Sequence, residues 1–147
     1  MDSAVAMLPQ PYVTVAQTKV DGLKVAFDVT EEWEKADKDS TVVTGVLIAR
    51  KAFIEEHPEQ FKAFLDEYKA SAEYANSNVE DTAELVEKFD IFKAAIAKKA
   101  IPECNVTFIT GDDMKTKVSS YLNVLFDANP KAVGGKLPDD GIYYVAE

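Results

Sequence analysis

Side chains able to do covalent or metal chemistry are scarce in this chain. Its 147 residues include one His and one Cys. Any Ser-His-Asp or Cys-His arrangement must use His57, which stands before Pro58 where a helix is expected to start. That place suits a cap or an exposed imidazole better than a general base. The lone Cys104 closes no internal disulfide, and the Cys/His quartets that hold zinc cannot be assembled. Cys104 therefore reads as a small packing residue rather than a nucleophile. Carboxylates are plentiful, but none follow the spacing of a calcium loop. Gly134-Gly135-Lys136 lacks the remainder of a phosphate loop and reads as a turn. Asn105-Val106-Thr107 matches a glycosylation acceptor, a pattern too short to carry an assignment.

Residues suited to binding are more informative. Gln10-Pro11-Tyr12 follows the apolar run Ala4 to Leu8, with Pro9 and Pro11 marking a sharp change of direction. Turn structure accounts for the prolines. It does not account for Gln10, which offers a donor and an acceptor, or for Tyr12, which offers a ring and a hydroxyl. In open α/β sheets, ligands gather at the carboxyl ends of strands, where this turn is expected to sit. Trp33 could stack on a ligand or pack in the core. The acids Glu31, Glu32 and Glu34 around it read most simply as a solvated helix face.

Charge narrows the partners. With 16 Lys+Arg against 26 Asp+Glu, the net charge is −10. Nucleic-acid binding needs clustered basic residues, and anionic lipid attracts them, so neither surface is expected as a partner. The apolar runs are far shorter than the ~18 residues of a membrane span. Asp2 follows Met1 with no basic or apolar leader after it, so the reading is either a cytoplasmic protein or a chain without its true N-terminus. At 47% hydrophobic and 29% charged, the composition is that of an ordinary folded domain.

The elements that must position these residues fall into two kinds. Strands are expected early. Leu23, Val25, Phe27 and Val29 alternate with Lys24, Ala26 and Asp28, and Thr41 to Arg50 is rich in β-branched residues. Gly45 interrupts the second run, marking either a close approach of ligand or backbone or a simple packing accommodation. Tyr12 to Ala16 is extended or helical. Thr30 is expected to cap a helical turn through Trp33, and Lys35 to Ser40 is loop-like.

Helices dominate the remainder. Pro58 suits a first turn, and Phe61, Phe64, Leu65, Tyr68 and Ala72 form one stripe. Asn78 opens the next helix, with Ala83, Val86 and Phe89 on its apolar face. Ile91 to Ala100 is helical up to Pro102. Asn105 to Thr110 alternates weakly as a short strand. Thr110-Gly111-Asp112-Asp113 reads as a capping box for a last helix bearing Met114, Val118, Tyr121, Leu122 and Leu125, stopped at Asn129-Pro130. Ile142 to Val145 adds a terminal strand or a docked arm. Strands followed by helices predict α/β or α+β layering.

Several segments, in order, resemble one family. Asp2-Ser3-Ala4-Val5-Ala6-Met7-Leu8-Pro9-Gln10-Pro11-Tyr12 resembles a segment in the later part of solute-binding proteins of ABC importers, in the branch related to sulfonate, nitrate and thiamine-pyrimidine binders. Leu23 to Trp33 and Thr44 to Lys51 resemble two strand regions of that family, and Phe53 to Pro58 with Phe64-Leu65 resembles the helix that follows. Ala100 to Asn105, Thr110-Gly111 and Val133 to Pro138 resemble the C-terminal signature of a bacterial subgroup.

The resemblance implies a type II periplasmic-binding-protein-like α/β fold, present as its C-terminal half. Residues 1–40 would then be a remnant of lobe two and 41–147 part of lobe one. It implies a non-enzymatic receptor that traps a small-molecule solute between lobes and delivers it to ABC permease subunits. The full-length relative would be extracytoplasmic, periplasmic or a cell-surface lipoprotein. Gln10, Pro11 and Tyr12 would face the ligand, with Thr44 and Gly45 near the hinge. No cofactor or metal is implied. Strands without their neighbours would leave open edges, so the chain alone is expected either to form a homodimer through exposed strands or to fold marginally. Two other readings stand beside it. One is an enzyme of the same fold making a thiamine pyrimidine precursor, disfavoured by the single His. The other is a free-standing interaction domain.

Overall fold

A computed structural model describes residues 4–145. Asp2 and Ser3, which open the first family-like segment, lie outside the described residues. Seven α-helices are present among the described residues: α1 (Tyr12–Lys19), α2 (Val29–Ala36), α3 (Lys51–Glu56), α4 (Pro58–Ser77), α5 (Val79–Lys88), α6 (Ala94–Ala100) and α7 (Gly111–Ala128). Short 3-10 turns follow at Ile101–Glu103, Pro130–Val133 and Asp140–Ile142. No described residue is in a strand.

This overturns the expected α/β, periplasmic-binding-protein-like fold. The segments at 4–8, 23–28, 41–50, 105–110 and 142–145 form no ladder, and the dimer through exposed strands has no formed strand to use. Alternating β-branched residues report a preference for a pleated surface, but a strand exists only when a neighbour supplies its hydrogen bonds. Residues 41–49 find none among the described residues. Asn105 turns the chain with φ 50°, a left-handed conformation that a strand cannot hold at its first position.

The chain divides into two compact units, each assembled from separated stretches. The first comprises Met1–Lys24 and Lys51–Phe108. Its centre is small. Ala83, Ala97 and Ile101 are buried together, with Val79, Val86 and Ala94 packed on them. Alanines on α5 and α6 let the two helix backbones approach closely. Glu87 accepts from the Ala94 N–H at 2.9 Å and from Lys93 Nζ at 3.0 Å, joining the end of α5 to the start of α6.

On α4 the expected stripe is only partly buried. Phe61 and Ala72 are inside, whereas Phe64 is 46% and Tyr68 42% exposed. Tyr68 meets Phe108 edge-on at 5.9 Å, and Asn76 Nδ2 donates to the Val106 carbonyl at 2.8 Å. Pro58 occupies the first turn of α4, as its fixed φ favours. Pro102 ends α6 by passing it into a 3-10 turn.

The second unit comprises Val25–Arg50 and Ile109–Glu147. Its cap differs from expectation: Asp28, not Thr30, is the N-cap of α2, accepting from the Thr30 N–H at 2.8 Å and the Glu31 N–H at 3.1 Å. A single carboxylate oxygen, Oδ1, takes two of the helix's free N–H groups at once. The expected capping box on α7 is not formed: Thr110 is the N-cap, yet its side chain makes no capping bond. Met114, Val118, Tyr121, Leu122 and Leu125 are half-buried along α7. Trp33 packs against Tyr121 with ring centroids 5.5 Å apart, and Lys115 pairs with Asp140 at 3.0 Å. Asn129-Pro130 stops the helix as expected, and Gly134 ends the following 3-10 turn in the left-handed region (φ 79°). Among the described residues no helix is long and apolar enough to cross a membrane.

Candidate functional site

Gln10, Pro11 and Tyr12 come together in the first unit, where the chain enters α1. Pro11 is the N-cap of α1 and Tyr12 its first residue. Gln10 completes the start of the helix from its own side chain. Its Oε1 accepts from the Thr14 hydroxyl at 2.9 Å and from the Thr14 N–H at 3.4 Å. Thr14 is buried, so this carbonyl satisfies two donors that would otherwise be costly to bury. The pairing fixes the amide orientation: Oε1 faces inward and the two Nε2 hydrogens face away. Tyr12 is 55% exposed, and its ring meets Phe92 edge-on at 5.9 Å. The phenol is thereby anchored through its ring on a largely exposed residue. Two polar groups held on a rigid helix start can donate to a solute carbonyl, carboxylate or oxyanion.

Thr44 and Gly45 belong to the second unit, in the irregular run between α2 and α3. Both are exposed. No other part of the described chain approaches Gly45 closely, since a Cβ there would meet nothing within 4 Å.

Elsewhere in the second unit lies a polar cleft of about 400 Å³ that sequence reasoning missed, lined by Asp37, Ser40, Thr41, Asp113, Lys117 and Ser120 among others. Its rim is ordered by a relay. Trp33 Nε1 donates to Ser40 Oγ at 2.8 Å, and that hydroxyl donates to Asp37. The Ser40 hydroxyl, followed by the Asp39 N–H, holds the Asp37 carboxyl below the ordinary carboxylate range. Lys117 lies 3.7 Å from Asp113 on α7. The only sequence trace of this cleft is the density of Asp, Ser and Thr between 37 and 41, which reads equally as a loop. No group of carboxylates, His and Cys among the described residues is arranged to hold a metal ion.

His57 is exposed beside the start of α4, and its ring lies 5.2 Å from Phe53. Cys104 is half-buried. Desolvation, followed by the nearby Glu103 charge, pushes its thiol pKa up and so disfavours the thiolate. Comparison with protein families, with curated proteins and with solved structures finds no match to this chain.

Proposed function

We propose that this chain acts as the solute-binding component of an ABC importer, binding a small polar molecule without transforming it and presenting it to permease subunits outside the cytoplasm. The order of the family-like segments along the sequence supports the reading. The observation that carries it is the Gln10–Tyr12 turn. Its Gln carbonyl is committed inward to Thr14, which leaves the amide hydrogens and the Tyr12 hydroxyl to receive a ligand. Carbonyl-rich pyrimidines and anionic sulfonates, carboxylates or oxyanions match two adjacent donors.

Thermal-shift screening against these classes, followed by titration calorimetry, tests the reading. One class is expected to raise the melting temperature, because a ligand at 100 times its Kd adds about 2.7 kcal/mol to stability. Tyr12→Ala and Gln10→Ala should each weaken that binding by about tenfold, roughly 1.4 kcal/mol. A panel that produces no shift, or binding untouched by both substitutions, overturns the proposal.

A further inference from the structure

We infer that Thr41 to Ala49 is a self-recognition strand, through which two copies of this chain pair antiparallel about Gly45. In the single copy this run lies outside any helix or turn, makes no backbone hydrogen bond among the described residues, and is exposed from Thr44 onward. Val46 is 63% and Ile48 85% exposed. An open row of N–H and C=O groups flanked by β-branched side chains is a template for another strand.

The charge pattern selects a second copy as the occupant and sets its register. These nine residues carry no charge in a chain of net charge −10, so two copies can meet here without opposing like charges. A symmetric antiparallel pair centred on Gly45 overlaps the uncharged stretch completely, with Thr41 opposite Ala49. It sets Val42 opposite Ile48 and Thr44 opposite Val46 on one face, a continuous β-branched surface. Centring on Thr44 or on Val46 instead leaves part of the uncharged run unpaired. This inference does not depend on the solute reading.

Sedimentation velocity of the full chain across 1 to 200 µM (about the range in which single-strand pairing is read) tests it, together with infrared detection of strand. The expected result is a concentration-dependent dimer whose formation brings a β-sheet signal. Val46→Lys and Ile48→Lys change exposed side chains, so each should abolish the dimer while leaving the helical circular dichroism intact. Register is read by oxidation in a Cys104→Ser background. Gly45→Cys should cross-link copy to copy, because facing Cα atoms lie ~4.5–5.5 Å apart, within disulfide reach. Val43→Cys should not, because its own counterpart lies four residues, ~13 Å, along the strand. A monomer at every concentration, a dimer that survives Val46→Lys, or equal cross-linking at residues 43 and 45 overturns the inference.

Discussion

The two units are stabilised differently. The first has a true interior, built largely from small side chains: Ala72, Ala83, Ala97 and Ala100 are each at most 7% exposed, with Phe61 and Ile101 beside them. In the second, no described residue is fully buried. It is held by half-buried contacts, capping bonds and a polar relay around Trp33. Close helix approach through alanine concentrates burial in a few atoms, whereas a single amphipathic helix such as α7 spreads partial burial over many. The same contrast divides the candidate sites. Gln10 and Tyr12 stand at the start of a helix that carries the buried Thr14, while the polar cleft lies between the loop at 37–41 and α7.

The largest test of this contrast is core deletion. Ile101→Ala should cost about 2–4 kcal/mol in denaturant unfolding, the range for emptying a buried aliphatic site. Leu122→Ala, on the half-buried stripe of α7, should cost about 1 kcal/mol, because only part of its area leaves water. Equal costs would erase the distinction between the units.

A smaller effect separates the two candidate caps of α2. Asp28→Ala should cost about 1 kcal/mol, and Thr30→Ala only a few tenths, read by urea midpoint. The reverse order would return the cap to Thr30.

The smallest effect is in pH, and it sharpens the picture of the relay. Asp37 has a folded pKa below its unfolded one, so its bonds stabilise above the unfolded value. That contribution is lost as pH falls through the folded value. Trp33 is the only Trp, so its fluorescence reports this region. Its emission should change on the acid side, and Ser40→Ala should move that change to higher pH. Glu87 in the first unit is also held low, by the Ala94 N–H first and Lys93 second. Glu87→Gln should leave the Trp33 transition in place. A Trp33 response that follows Glu87 and ignores Ser40 would show that the relay is not its source.

Legibility in the sequence followed the range of the interactions. Helices α4, α5, α6 and α7 were readable from apolar spacing and from Pro58, Pro102 and Pro130, since an α-helix satisfies its hydrogen bonds within the segment. Caps were harder. Asp28 and Thr30 are both good N-cap types two positions apart, and which one accepts depends on where the first helical turn closes. At the candidate site, the types of Gln10 and Tyr12 were noticed. The inward commitment of the Gln10 carbonyl to Thr14 was not, though the i, i+4 spacing allows it. The relay from Trp33 through Ser40 to Asp37 left no spacing signal.

Residue types and their local periods were enough to read helices α4, α5 and α7 and the body of α6, each closed within its own segment. Whether Leu23 to Asp28 and Thr41 to Ala49 become strands was decided elsewhere. A strand's hydrogen bonds belong to its neighbour, and local sequence carries no record of whether that neighbour is present.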